Sequence, residues 1–318
     1  CHENSIRHYE WCYEEITDPE GPIHRWPPAM VLGRLKQMKS ACSKSRPTFD
    51  CPCTLRDVNV HVFNHLVGVL IPRLSDKSVL FVGDAGWGKT PLVRILAMAV
   101  SRYHIRNDER DTRPCFKSTS TLDTLRGQAG SKAVPYIFDN GDLHAEMAKR
   151  VKAFTDFGED ETCTMERWEN TRMVRGQSRF LAANRYAPEH EPSDDKSSIT
   201  HNEFSAMILG TFHPEFAKTG ANDLTAVLKR CAIVLTTKRW MCLRQAGTHT
   251  DAVPRWPKPE SALTKAGGIA WNMHRRDLPH VRTDEIDDIR LEQDIMTRLM
   301  PNMSTEYIVD SMSQKQLS

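Results

Sequence analysis

The stretch SVLFVGDAGWGKTPLVRIL, residues 78–96, constrains the fold of this chain more than any other part of its sequence. An apolar run, a glycine-rich turn and an amphipathic run follow one another, which is typical of a buried strand, a loop and a helix. The loop fits the pattern G-x-x-x-x-G-K-[ST] in full. It therefore predicts a phosphate-binding loop made of Gly83, Asp84, Ala85, Gly86, Trp87, Gly88, Lys89 and Thr90.

Each part of this loop has a chemical reason to hold a nucleotide. The loop amides and the N-terminus of the following helix point toward the phosphates, where the helix dipole favours negative charge. Lys89 would neutralise the β- and γ-phosphate oxygens, and Thr90 would offer its hydroxyl to Mg²⁺. The sequence therefore predicts ATP and Mg²⁺ as cofactors, and the flanking strand and helix argue against a chance glycine turn.

Pro91 and Trp87 are unusual at their positions in such a loop. Pro91 falls in the first helical turn, where proline is tolerated because backbone N–H groups there have no intrahelical partner. In phosphate loops the amide at that position often reaches the α-phosphate, and losing one such donor costs about 1.5–3 kcal/mol. Trp87 keeps its amide, so its bulk affects only what packs above the loop. The sequence predicts a working loop with one donor missing.

The middle of the chain, 76–240, alternates buried runs with amphipathic stretches. Buried strands separated by helices indicate an α/β fold with a mostly parallel sheet. The predicted strands are 79–82, 134–138, 179–183 and 231–235. The predicted helices are 90–103, 142–155, 203–209 and 223–230.

The two ends of the chain carry weaker signals. Residues 1–75 are expected to form an N-terminal region of helices and loops, with one helix from Val58 to Leu74. Residues 241–318 are expected to form a small C-terminal region. Its first part, 246–268, is rich in Gly, Pro, Thr and Lys and is interpreted as a linker. The stretch 284–300 starts with acidic residues and predicts a helix.

Composition narrows the class of protein. Hydrophobic residues make up 39% and charged residues 26% of 318 residues, which is ordinary for a globular chain. No apolar run reaches the roughly 18 residues that a membrane span needs, so no membrane association is expected. The first residues lack the pattern of a secretory signal. A net charge of +2 does not by itself indicate nucleic acid.

Nine scattered cysteines suit a reducing, intracellular compartment better than a disulfide framework. Cys51 and Cys53, with Cys42 upstream and His61 and His65 downstream, allow a zinc site as one interpretation. Their spacing matches no common zinc pattern, which favours free thiols in a loop.

A second acidic position follows the next predicted core strand. Asp139 comes directly after Val134–Phe138, 50 residues beyond Lys89 (139 − 89). An acid at the carboxyl end of a strand in such a sheet lies at the ligand crevice, so Asp139 is expected to face Mg²⁺. Asn140 follows it, and Asp142 is the nearest carboxylate that could act as a base on water.

The order of these pieces resembles superfamily 3 helicases, the AAA+ ATPases of small DNA viruses, phages and mobile elements. The segments VKAFTDFGEDETCTMERW (151–168), SRFLAANRY (178–186) and DLTAVLKRCAIVL (223–235) follow the loop in the family's order. The matching residues are Lys152, Thr155, Gly158, Glu159, Arg167, Asn184 and Arg230. The resemblance implies a three-layer αβα phosphate-loop ATPase core, assembled as a hexameric ring that moves along nucleic acid during DNA replication.

Several site residues come from this resemblance. It implies that Asn184 senses the γ-phosphate or positions water, for which an uncharged amide is suited. It implies that Arg230 reaches a neighbouring subunit's γ-phosphate as an arginine finger. Lys229 and Arg185 are rival fingers. Most members of the class carry an acid where this chain has Asn140, which indicates slow hydrolysis.

The stretch RWENTRMVRGQ, 167–177, predicts a contact with single-stranded nucleic acid. Its cations Arg167, Arg172 and Arg175 and the ring of Trp168 are the combination that holds a strand without reading its sequence. In the family a hairpin here lines the ring channel. A solvated basic loop is the plain alternative.

Three functions therefore remain open from the sequence. The first is an ATP-hydrolysing motor on DNA or RNA. The second is a nucleotide-binding switch or scaffold in which Asn140 blocks turnover. The third, a kinase-type phosphoryl transferase, is disfavoured because the ordered motifs in 151–236 fit the motor better.

Overall fold

The computed structural model describes residues 14, 18–21, 25–33, 47–106, 113–125, 130–157, 162–163, 172–192, 196–218, 221–279 and 285–300. Within this part of the chain an eight-stranded sheet lies between two layers of helices. The predicted α/β fold is thus confirmed at the level of an αβα arrangement around a mostly parallel sheet.

The sheet divides into a parallel and an antiparallel part. Its strands, in the order in which they lie side by side, are β2 (Lys117–Thr119), β3 (Tyr136–Phe138), β6 (Arg179–Ala183), β1 (Ser78–Gly83), β8 (Cys231–Thr236), β9 (Trp240–Arg244), β10 (Val253–Pro257) and β7 (Ser198–Ile199). The first five run parallel, whereas β9, β10 and β7 continue the sheet in antiparallel pairing. A separate antiparallel pair is formed by β4 (Thr162–Cys163) and β5 (Arg172–Met173).

The central strand β1 is buried on both faces, which explains its continuous apolar sequence. Val79 and Phe81 belong to one hydrophobic cluster and Leu80 and Val82 to the other, because alternate side chains point to opposite faces of a strand. Each cluster is closed by its own helices. The sheet is therefore the middle of three layers.

In the described part of the chain residues 28–33 are helical, and the numbered helices are α1 (Val60–Val62), α2 (Gly68–Leu70), α3 (Lys89–Arg106), α4 (Ala148–Thr155), α5 (His201–Leu209), α6 (Glu215–Lys218), α7 (Ala221–Arg230), α8 (Lys265–Arg275) and α9 (Glu285–Leu299). A π-helical stretch, Phe63–Val67, joins α1 to α2, and a 3-10 turn, Ile71–Arg73, follows. The predicted helix from Val58 to Leu74 is thus confirmed as one continuous but irregular helical segment. The predicted core strands and the helices at 90–103, 203–209, 223–230 and 284–300 are also confirmed, each within a few residues. The helix predicted over 142–155 is split into a 3-10 turn (Leu143–Ala145) and α4.

The C-terminal region differs from its expected form. The predicted linker 246–268 contains β10, whose residues Val253 and Arg255 are buried, so this segment belongs to the sheet. Helix α9 packs on α3 and is fixed by Glu292, which accepts from Arg102 Nη1 at 2.7 Å and from the amide of Leu55 at 3.0 Å. Met296 of this helix is buried in the same hydrophobic cluster as α3, so apolar packing and buried ionic contacts together hold the helix. Composition gave no sign of the ionic contacts.

No helix in the described ranges has the length and apolar character that crossing a membrane requires.

Candidate functional site

The glycine-rich loop joins the end of β1 to the start of α3, as the sequence predicts. Gly83 has a φ of 141°, and a Cβ there would lie 2.1 Å from the Thr236 hydroxyl oxygen on the neighbouring strand β8. Gly86 and Gly88 also have positive φ, 92° and 108°. These values favour glycine, so the loop sequence is matched to its backbone shape.

Lys89 is folded back into the loop. Its ammonium donates to the carbonyls of Gly83 and Asp84, each at 2.6 Å, and the residue is only 6% exposed. Burial lowers the pKa of Lys89 to about 8, while the carboxylates of Asp84 and Asp139 act in the opposite direction. The loop therefore holds a cation in a site where carrying that charge is costly until an anion arrives.

The hydroxyl of Thr90 donates to Oδ1 of Asp139 at 2.9 Å. Asp139 is buried, and its Oδ2 lies 3.9 Å from Nη2 of Arg94, one helical turn after Thr90. A hydroxyl and a carboxylate side by side are oxygen ligands of the type that Mg²⁺ prefers. The two residues predicted to face the metal are brought together here.

A cavity of about 600 Å³ opens over this pair. The strand order explains how it forms, because β6 lies between β1 and β3 and places Asn184 between the loop and Asp139. The lining residues are Ala85, Gly86, Gly88, Lys89, Thr90, Pro91, Arg94, Asp139, Asn140, Gly141, Ala182, Asn184, Ser261, Leu263, Gly268, Trp271, Asn272 and Arg275. This set contains five of the eight predicted loop residues, the predicted acid Asp139 and the predicted amide Asn184.

Asn140 and Asp142 both follow Asp139, but the turn after β3 places them in different surroundings. Asn140 has a φ of 58°, and its Nδ2 donates to Oδ2 of Asp139 at 3.4 Å at the cavity wall. Asp142, the proposed substitute base, is exposed and does not line the cavity. Its Oδ1 instead accepts from the amide of His144 at 3.0 Å and caps a short helix. Asp139 is the single carboxylate among the lining residues that the structure describes.

Trp87 is buried and bonds to the segment that precedes α8. It is 3% exposed, its indole N–H donates to the carbonyl of Pro259 at 3.0 Å, and its carbonyl accepts from the amide of Ala262 at 2.8 Å. These bonds tie the segment 259–264 to the loop, and α8 follows directly. The bulky residue in the loop is thus an anchor for the C-terminal wall of the cavity.

This C-terminal wall is the part of the site that sequence reasoning missed. Five residues of this wall line the cavity: Ser261, Gly268, Trp271, Asn272 and Arg275. The first two fall in the predicted linker 246–268, and the other three lie between it and the predicted helix 284–300. The apolar pattern of this segment is too short to predict a helix. Nothing in the sequence connects the segment with the distant glycine-rich loop. Arg94 was also missed, although its position four residues after Thr90 in a predicted helix indicated the same helix face.

Arg230 lies at the end of α7 and does not line the cavity. Its Nη2 lies 3.0 Å from Oδ2 of Asp156, and its Nη1 donates to the carbonyl of Lys152 at 3.3 Å. Lys152 in turn pairs with Asp223 at 2.6 Å. An arginine finger acts on a neighbouring subunit, so it need not line the cavity of its own chain. The role of Arg230 as a finger stays a prediction.

The predicted nucleic-acid stretch is only partly described. Arg167 and Trp168 lie outside the described residues. Arg172 lies on β5, whose partner strand is β4, and Arg175 is exposed in the turn that follows. Gly176, with a φ of 82°, supplies that turn.

The described cysteines give no sign of a zinc site. Cys51 and Cys53 form no disulfide within the described residues, and Cys53 donates its S–H to the carbonyl of Gly267 at 3.5 Å. Cys42 lies outside the described residues. In the described ranges no three His, Cys, Asp or Glu side chains come together as a metal site.

Comparisons of the chain with models of protein families, with characterised proteins and with solved structures found no match. Its function is therefore inferred from the geometry of its own residues.

Proposed function

We propose that this chain binds a nucleoside triphosphate with Mg²⁺ in the cavity above β1, and that it is an ATPase of the AAA+ type with slow turnover. The observation that carries the proposal is the hydrogen bond between Thr90 and Asp139, at 2.9 Å. Thr90 and Asp139 are far apart in the chain, and the phosphate-loop interpretation predicts that both face Mg²⁺. They are in contact at the carboxyl end of the parallel strands. Ligand crevices of α/β sheets lie at this end of the strands.

The loop supports the phosphate part of the proposal. Loop residues and the first turn of α3 line the cavity, and Lys89 lies among them. A phosphate chain would replace the carbonyls of Gly83 and Asp84 as partners of the ammonium. Charge-assisted bonds to phosphate are stronger than those to neutral carbonyls, so binding is favourable.

Thr90 and Asp139 would hold the metal ion. When bound, Mg²⁺ neutralises charge on the phosphate oxygens. The Thr90 hydroxyl and the Asp139 carboxylate would orient it. Asn184, which follows β6 between the loop and Asp139, would donate to the terminal phosphate or to water. These contacts position the phosphates without supplying a strong base.

Slow hydrolysis follows from the residue at position 140. An amide cannot take a proton from water at neutral pH, and Asp142 faces away as a helix cap. The same observation favours the second candidate function, a nucleotide-binding switch or scaffold with little turnover. In both cases nucleotide binding comes first.

The motor part of the proposal rests on the order of motifs that resembles superfamily 3 helicases. It comprises a hexameric ring, an arginine finger at Arg230 and single-stranded nucleic acid held by the 167–177 stretch. For the finger to act, Arg230 would exchange Asp156 for a neighbour's phosphate. The ion pair is about one-third exposed, so this exchange costs little.

Calorimetry and phosphate release test the proposal together. Wild type should bind ATP in the presence of Mg²⁺, and Lys89→Ala should lose most of that affinity because the cation at the β/γ oxygens is gone. Lys265→Ala, an exposed lysine at the start of α8, is the matched control and should bind as wild type does. Equal ATP affinity in wild type and Lys89→Ala would reject the proposal. Phosphate release with and without a single strand then separates the motor from the switch.

A further inference from the structure

We propose that Arg94 supplies the phosphate contact that Pro91 is unable to make. This inference rests on the proposed function, because it assigns a phosphate-binding residue to the same cavity. Arg94 would donate to the phosphate chain from one turn deeper in α3 and so compensate for the missing amide.

Pro91 interrupts the row of donors at the start of α3. The first helical bond here runs from the amide of Leu92 to the carbonyl of Gly88, at 3.1 Å, so the amides before Leu92 are directed out of the helix. Proline has no N–H, and the residue lines the cavity. The cradle thus lacks a donor at a point that faces the ligand space.

Arg94 lies three residues after Pro91, on the same face of the helix, and lines the same cavity. Its guanidinium stands 5.5 Å from the ring of Trp271 and 6.0 Å from that of Phe116. These two rings position the planar group at the wall between α3 and α8. The faces of these rings attract the cation but offer no oxygen acceptor to its N–H groups.

The polar contacts of Arg94 are incomplete within the described structure. Its distance to Asp139 Oδ2, 3.9 Å, is that of an ion pair and too long for a hydrogen bond. Its Nε is buried and has no hydrogen-bond partner among the described residues. A guanidinium offers five donors in a rigid fork that suits phosphate oxygens. The Arg94 guanidinium is therefore placed to donate to an anion in the cavity.

A plain structural role is the competing explanation. Arg94 could serve only to join α8 to α3 through Trp271. That role predicts lost stability on substitution but no dependence of ligand affinity on the residue at position 91. A double-mutant cycle between positions 91 and 94 separates the two explanations.

The four proteins of the cycle are wild type, Pro91→Ala, Arg94→Gln and the double variant. Each is titrated with ATP and with inorganic tripolyphosphate, in the presence of Mg²⁺, by calorimetry. Arg94→Gln should weaken binding of both ligands by about tenfold or more, the usual effect of one charge-assisted hydrogen bond. In the Pro91→Ala background, where the amide is restored, the same change should weaken binding by about threefold or less.

Arg275→Gln is the matched control, since it removes another arginine from the cavity wall. Its effect should be equal in the two backgrounds. Equal losses for Arg94→Gln in both backgrounds, or no loss at all, would overturn the inference. If Arg94→Gln does not fold, Arg94→Lys takes its place in the cycle, because it keeps the charge and loses the fork. Failure of wild type to bind either ligand would instead reject the proposed function itself.

Discussion

The side chains of Thr90 and Asp139 are joined by a 2.9 Å hydrogen bond although they are 49 residues apart in the chain. Thr90 lies in the first turn of a helix, and Asp139 directly follows a strand that is not adjacent to β1. Their contact requires β6 to lie between β1 and β3, so that the strand ends converge around one cavity.

Asp139→Asn should weaken Mg²⁺-dependent binding of ATP by about tenfold or more, because a neutral amide is a poorer ligand for a hard cation. Affinity measured in excess chelator should change much less. Asp142→Asn is the control, since that carboxylate is exposed and caps a turn. Calorimetry with and without Mg²⁺ checks this, and an equal loss in both conditions would show that Asp139 acts on the fold alone.

Triphosphate affinity should fall as pH rises through about 8, the value to which burial lowers the pKa of Lys89. Only the charged ammonium attracts phosphate, so at higher pH binding must also take up a proton. Lys89→Arg stays charged and should lack this decline. Titrations of tripolyphosphate on both sides of this pKa provide the measurement, and parallel curves for the two proteins would contradict the assignment.

The same pKa has a consequence for stability in the absence of ligand. Its value in the folded state, about 8, lies below the ordinary 10.5. Between these values the unfolded chain binds more protons than the folded one, so Lys89 makes stability rise with pH in this window. Denaturant unfolding of wild type and Lys89→Met should converge toward high pH.

Asn140→Asp should raise ATP turnover, because it places a carboxylate beside Asp139 at the cavity wall. Aspartate, like asparagine, tolerates the positive φ of 58° at this position, whereas Asn140→Glu should be strained. Steady-state phosphate release measures the effect. Unchanged turnover in Asn140→Asp, with ATP binding intact, would place the base elsewhere.

Gly268→Leu should exclude a nucleoside from the cavity while sparing inorganic tripolyphosphate. Gly268 lies on α8 and lines the cavity, and a Cβ added there would meet nothing within 4 Å, so a larger side chain would enter open space. Ala266→Leu, on an exposed face of the same helix, is the control. Equal ATP binding by both variants would show that the nucleoside lies away from α8.

Replacing Arg172 and Arg175 together by Ala should weaken binding of a single-stranded nucleic acid and flatten its salt dependence by up to about two phosphate contacts. ATP binding should not change, because Arg175 is exposed in a turn and does not line the cavity. Fluorescence anisotropy over a salt series is the measurement. Superimposable curves for wild type and the double variant would leave this stretch as a solvated loop.

The local structure around the loop could be predicted because its causes lie within a few residues of one another. The glycines match the positive φ values, the apolar run before Gly83 matches a strand buried on both faces, and Lys89 begins a helix. Asp139 and Asn184 could also be placed, since residues that follow core strands meet at one edge of a parallel sheet.

Longer-range features depended on the tertiary structure. Residues 253–257 join the sheet through pairing with β9, which the Gly, Pro, Thr and Lys content of this segment did not predict. Helix α9 was predicted from its own sequence, but its anchoring by the buried acid Glu292 was not. The wall formed by α8 reaches the loop through Trp87, whose indole bond to Pro259 joins residues 172 positions apart. Sequence alone predicted the strand, the glycine-rich loop and the helix that follows, because local backbone chemistry specifies them. Only packing decided what encloses the loop, because contacts between distant segments leave no periodic signal in either of them.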